Sequence, residues 1–231
     1  KSLISKYTMN IHLLLTIYIS TLLFILSACK EPTNLEAEKI ITNNEIKIEP
    51  QEKIFLENAQ KYFAKKRAKA FKHSTDKISY YSLKSKDISE LAFSKLPYYH
   101  LDTSFISQSL NSDDLLSHIR PVKDIPLYIG KLHHDYAIIM NLRPCKENLW
   151  EPDFTLEGIE YFQNLFNWLS KALNEAGTQK FYVLESMGIH YIVYYTKPNE
   201  PHFCNFPGNI QMNKHSFLQH ILDRYNNHKT K

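Results

Sequence analysis

Glycine is scarce in this chain: 231 residues include only five. Glycine-rich loops that wrap phosphates with backbone amides are therefore excluded as organising motifs, and neither a P-loop nor a dinucleotide fingerprint occurs. Cysteine is scarcer, at three, with no pair at the CxxC spacing of a zinc or redox site. The 11 histidines do not compensate. His133 and His134 are adjacent, so on a strand they point to opposite faces, and His215 and His220 are five apart rather than the four that align two rings on a helix. No HExxH occurs, so neither a metal site nor a cofactor is expected. Ser186 lies in Glu185-Ser186-Met187-Gly188, which lacks the first glycine of a nucleophile elbow. Carboxylate neighbours such as Asp113 with Asp114, or Glu157 with Glu160, fit the charge expected at helix N-termini better than an acid and base pair. Nothing catalytic is expected. Neither sign of charge dominates, with Lys plus Arg at 28 against Asp plus Glu at 24, and nucleic acid is not an expected partner.

Only one long apolar run is present, residues 11–26, and it falls short of the about 20 residues that span a bilayer. Lys1 and Lys6 precede it, and Leu26-Ser27-Ala28-Cys29 closes it. That arrangement has the parts of a secretory signal. Leu26-Ser27-Ala28-Cys29 resembles the lipobox of bacterial lipoproteins, in which signal peptidase II cuts before a cysteine that carries the lipid. The resemblance implies that residues 1–28 are removed and that Cys29 is acylated, palmitate-type, on sulfur and amino group. Two or more acyl chains hold a protein stably at a membrane where one does not. Lys30, where the inner-membrane retention rule wants Asp, implies the inner leaflet of the outer membrane, with the protein facing the periplasm.

Such a compartment is oxidising, and two cysteines remain, Cys145 and Cys204. A disulfide between them is the expectation, closing a loop of about 60 residues for on the order of 4 kcal/mol in the chain-entropy model.

Residues 29–50, rich in Glu, Asn and Pro, are expected to form a flexible tether, with Ile40, Ile41, Ile46 and Ile48 as an alternative short strand. Residues 51–231 are expected to form one globular domain. Helical spacing over 51–72 predicts a helix through Phe55, Ala59 and Phe63, with Lys65, Lys66 and Lys69 on a basic outer face. Residues 78–83 read as a strand, 87–95 and 112–119 as short helices, and the aromatic stretch 97–110 as irregular. Strands are expected over 125–130 and 135–142, the latter apolar on both faces and ended by Pro144, with a loop from 145 to 153. A stripe of Ile159, Phe162, Phe166, Leu169 and Leu173 predicts the best helix, stopped by Gly177, with Thr155 as its N-cap. A hairpin is expected over 181–186 and 189–196, then irregular chain over 197–207 and a helix over 214–226. The fold class is α+β, a single domain with an antiparallel-rich sheet of about four to five strands covered by amphipathic helices. Joining Cys145 to Cys204 further requires strands 136–142 and 181–186 to run antiparallel to each other.

A lipid tether without catalytic spacing points to a protein that works by contact. The leading expectation is a periplasm-facing envelope lipoprotein that binds another protein, with an immunity or inhibitor type as one form by analogy. Alternatives are envelope maintenance through Lys65, Lys66 and Lys69 on peptidoglycan or anionic lipid, and an envelope hydrolase with unrecognised catalytic groups.

Overall fold

A computed structural model describes residues 34–73, 83–103, 114–123, 125–146, 149–205 and 210–229. The signal, Cys29, residues 78–82 of the first expected strand and residues 104–110 of the aromatic stretch lie outside them. In chain order the helices are α1 (Asn34–Thr42), α2 (Pro50–His73), α3 (Ser85–Ser89), α4 (Ile159–Glu175) and α5 (Lys214–Lys229), with a 3₁₀ turn at Leu115–His118. The strands are β1 (Ala92–Leu96), β2 (Tyr98–Leu101), β3 (Ile119–Pro121), β4 (Leu127–Leu132), β5 (Asp135–Lys146), β6 (Leu149–Glu157), β7 (Phe181–Ser186), β8 (Ile189–Lys197), β9 (Glu200–Asn205) and β10 (Gln211–Asn213).

These strands form two sheets rather than the one expected. One has four strands in the order β1-β4-β5-β6, the other six in the order β10-β9-β8-β7-β2-β3. Every pairing is antiparallel except β2 with β7, so the domain is α+β and antiparallel-rich. Pro97 is where the chain leaves one sheet for the other. It separates β1 from β2, and its carbonyl accepts the Val183 amide of β7 at 2.9 Å.

Alternation along each strand splits the core into three. On one face of the four-stranded sheet Tyr128, Ile138, Met140 and Leu142 pack against Leu56, Ala59 and Ala64 of α2 and Ile88 of α3. On its other face Ile129 and Ile139 meet α4, through Phe162, Phe166, Leu169 and Leu173, and beyond α4 Val183, Ile192 and Tyr194 of the six-stranded sheet. The far face of that second sheet, with Leu184, Tyr191, Val193 and Phe203, is covered by Phe217, Leu218 and Ile221 of α5. β5 is thus covered on both faces, as its continuous apolar run implied. The hairpins β4/β5 and β7/β8, the long helix α2, the stripe of α4 and the closing helix follow the sequence pattern. α4 stops where Gly177 takes φ +65, and the Thr178 amide returns to Leu173 O at 3.0 Å.

Several expectations are corrected. Residues 34–50 are not a tether: α1 buries Ala37, Ile40 and Ile41 in the core between the sheets. Asn44 fastens the segment, donating to Ile40 O at 2.8 Å and Gln179 O at 2.7 Å and accepting from the Phe181 amide at 2.9 Å. Ile46 then bridges to Lys95 of β1. The expected helix 87–95 is the short α3 followed by β1, because the capping carboxylate Asp87 accepts the Lys84 amide and starts the turn three residues early. Tyr98–Leu101 is a strand inside the second sheet, with Tyr98 and Leu101 buried on opposite faces, Tyr99 half-buried and only His100 exposed, so it lacks the regular polar alternation that would have revealed it. Pro144 does not end β5 but sits opposite Trp150, between register shifts that absorb its missing amide, and the expected 145–153 loop is largely β6. Thr155 lies in β6, and Gly158 precedes α4 instead. Pro201 likewise is the second residue of a real strand, β9, next to a register shift in β8.

The disulfide is also corrected. Cys145 is exposed near the end of β5, while Cys204 is buried among the residues packed around α4, and both are thiols. They belong to different sheets, one side chain facing water and the other the core, so they share no space in which to bond. Strands β5 and β7, expected to be antiparallel to each other, are not partners at all.

Candidate functional site

Register decides which side chains meet. His100 of β2 sits opposite Arg120 of β3 on one side and Glu185 of β7 on the other, and Glu185 sits opposite His190 of β8. Register partners share a face, so Arg120, His100, Glu185 and His190 form one row across four strands. Two residues further in, the same face carries Tyr98, Val183 and Ile192, all buried. The row marks where an apolar face turns polar. From the other sheet it is faced by Asn141 of β5 with its register partner Phe154 of β6, and by Asp153. Together they line a cavity of about 780 Å³, partly open to solvent.

The floor of the cavity is a chain of neutral hydrogen bonds. Asn141 Nδ2 donates to Tyr98 Oη at 2.9 Å, and Tyr98 Oη lies 3.1 Å from His190 Nε2. With the Tyr98 proton directed at Nε2, His190 is the Nδ1-protonated tautomer. Its ring stacks on Phe154 at 4.2 Å and on Tyr98 at 5.9 Å between centroids. Burial holds the imidazole below its ordinary pKa, with Glu185 and Asp153 pulling the other way, so it is neutral at pH 7. Burial likewise pushes the Tyr98 phenol up to about 12, against the opposing hydrogen bond from Asn141. Neither group is a charged nucleophile. The set suits recognition by hydrogen bonds and stacking.

Among the described residues of the cavity lining, one buried atom has no partner. Asn141 is only 4% exposed, and its Oδ1 has no hydrogen-bond partner. An orphaned buried acceptor costs roughly 1–3 kcal/mol, which a stable fold does not normally leave standing.

The wall above the floor carries a second pair. His100 Nδ1 hydrogen-bonds one Glu185 oxygen, and the other accepts the Gly188 amide at 2.7 Å. Gly188, at φ +75 in the β7/β8 turn, permits this because a side chain there would be strained. Glu185 therefore orients His100 by Nδ1. Asp153 is engaged by Arg143 at 3.4 Å.

The residues singled out from sequence lie elsewhere. Cys29 is outside the described residues. Lys65, Lys66 and Lys69 are exposed on α2, whose inner side packs on the opposite face of the four-stranded sheet from the cavity. Cys145 and Cys204 do not line the cavity. Glu157 is occupied by Arg67 and by the Leu83 amide at 3.0 Å, a structural role. Ser186 is fully buried on the α5 side of its sheet, not exposed as a nucleophile must be. No cluster of metal-binding side chains occurs among the described residues. Sequence reasoning missed Tyr98, His100, Asn141, Glu185 and His190. The one local signal was a polar residue interrupting an otherwise apolar strand, as Asn141 does between Ile138-Ile139-Met140 and Leu142. No protein-family model, curated protein or solved structure matches this chain.

Proposed function

We propose that this chain is a periplasm-facing envelope lipoprotein, anchored through Cys29, that works by binding, and that the cavity between its two sheets is the recognition site. The observation that carries the binding site is the convergence of Tyr98, His190, Phe154 and Asn141 on a 780 Å³ cavity, with the buried Asn141 Oδ1 left without a partner beside it. A ligand donor there would remove the cost of the orphan, and Phe154 and the neutral Tyr98–His190 pair supply flat and hydrogen-bonding surface around it. The occupant is a small molecule or the protruding side chain of a protein partner; the second form includes the immunity type of protein. Native mass spectrometry of the lipoprotein, taken from envelopes in detergent, tests this. Wild type retains a small molecule, or crosslinks to a protein through a photoreactive group at Val122, and Asn141→Leu loses it. Absence of both sinks the reading. Globomycin should leave an uncleaved precursor, and unaffected maturation of Cys29→Ser would remove the anchor.

A hydrolase is the second reading, favoured by the Glu185-oriented His100 on the cavity wall. Among the described residues no Ser, Thr or Cys lines the cavity, so His100 would have to activate water. Turnover of a cell-envelope ester or amide that His100→Ala abolishes would establish it over pure binding. For envelope contact through Lys65, Lys66 and Lys69, the support is their exposure on one helix.

A further inference from the structure

Resting on the cavity as a binding site, we infer that its ligand is a small anion, a carboxylate or phosphate, met by Arg120 and Lys123 at the mouth while a second polar group of the ligand reaches Asn141 at the floor. Charge bookkeeping within the cavity carries this. Its two carboxylates are already engaged, Glu185 by His100 and the Gly188 amide, Asp153 by Arg143. Its two permanent cations are not: among the described residues neither Arg120 nor Lys123 has an ion-pair or hydrogen-bond partner. His190 adds no positive charge, since burial keeps it neutral. A cationic ligand would have to displace Arg143 or His100 from a carboxylate before gaining anything. An anion displaces nothing.

Position agrees with charge. Arg120 stands in register with His100, at the end of the polar row, and Lys123 follows the short strand that carries Arg120. A guanidinium offers carboxylate or phosphate a two-pronged hydrogen bond, and an ammonium beside it adds a movable point charge. Unpaired positive charge at the mouth of a low-dielectric cleft also draws anions in from solution. Further inside, the surface is uncharged: Phe154, Tyr98, neutral His190 and the Asn141 amide, whose Oδ1 has no partner. The ligand therefore has a charged end and a neutral body that donates a hydrogen bond. Simple phosphate satisfies the first requirement only.

A matched set of probes tests the inference on the full chain in detergent micelles, read by cavity amide shifts in NMR titrations. N-acetylmuramic acid and N-acetylglucosamine share a ring and an acetamido group and differ by a lactyl carboxylate; inorganic phosphate supplies charge alone and choline the opposite sign. N-acetylmuramic acid is expected to bind at least tenfold more tightly than N-acetylglucosamine, with phosphate weaker but detectable and choline absent. Arg120→Gln with Lys123→Gln should abolish the difference between the sugars. Asn141→Leu should weaken the sugar acid while sparing phosphate, which separates mouth from floor. Equal binding of the two sugars, or choline binding, overturns the anion and leaves the cavity standing as a site. If neither anion shifts a cavity resonance at 10 mM (about −2.7 kcal/mol) the inference falls, and the native mass measurement above decides the cavity independently.

Discussion

The space between the two sheets has a packed end and an open end, lined by the same strands. At the packed end α4 wedges Phe162, Leu169 and Leu173 between Ile139 of one sheet and Val183 and Ile192 of the other. At the open end no helix of the described residues enters, and the continuations of those strands present Asn141, Glu185 and His190 instead. The polar residues there are not exposed by default. Tyr98, Asn141 and His190 are 8%, 4% and 7% exposed, as sheltered as much of the core. Filling holds one end together, and a hydrogen-bonded chain holds the other. Burial of that kind stabilises little by itself. The open end is therefore where the fold gives up packing for a buried polar surface.

Truncating the wedge gives the largest expected effect. Leu169 is fully buried at the centre of the α4 stripe, so Leu169→Ala removes its transfer free energy and leaves a cavity. A loss of about 3 kcal/mol in urea denaturation is expected, with the amide signals of His100 and His190 unmoved. If those signals shift as strongly as their neighbours in α4, the two ends are one cooperative unit and the distinction fails.

A smaller effect isolates the open end. His190 has its pKa lowered by burial, so below the ordinary value of 6.5 the unfolded chain takes up a proton that the folded chain resists. Stability contributed by the neutral ring is present in full above pH 6.5 and is lost as pH falls through the depressed folded value. For one group the slope cannot exceed about 1.4 kcal/mol per pH unit. His190→Gln keeps a partner for Tyr98 and does not titrate, so denaturation midpoints between pH 7.5 and 5 should fall less than in wild type. His220, lowered in the same direction by burial and Arg224, contributes to any residual slope, as do Glu38 and Glu52 near pH 5. An unchanged slope in the variant would mean that His190 is not the group that makes this end acid-sensitive.

What was legible in the sequence follows the same division. The packed end is written in local periodicity, since α4 repeats at helical spacing and β7 and β8 are joined by Met187-Gly188, both at positive φ. Fold class and the principal helices could be read from that alone. The open end depends on the pairing of β2 with β7, residues distant in sequence, and no local pattern places His100 beside Glu185. Prolines misled in the same way twice: Pro144 and Pro201 both occur in strands, where register shifts or strand starts accommodate a missing amide. Ile40 and Ile41 were visible as apolar, but nothing nearby says that Ser170 of α4 will reach Glu36 at 2.7 Å and Asn44 will close on β7. Charge-rich composition suggested a tether because the partners that fold it lie about 130 residues away.

The smallest expected effect is no effect, and it tests the packed end at its chemical weak point. Cys204 sits in that end, 1% exposed, and burial pushes its thiol up to about 12. Only the thiolate attacks maleimides and disulfides, so at pH 7 Cys204 should label only after denaturation, whereas exposed Cys145 should label in the folded protein. A reductant should then leave the melting temperature unchanged. Were Cys204 instead bridged to Cys145, the closed loop would contribute on the order of 4 kcal/mol, and reduction would lower the midpoint by on the order of 10 °C. That gap is far larger than the error of a melting curve. A drop of that size would require Cys204 to turn out of the space behind α4 and β9 to shift against β8, so it would overturn the packed end itself along with the thiol assignment.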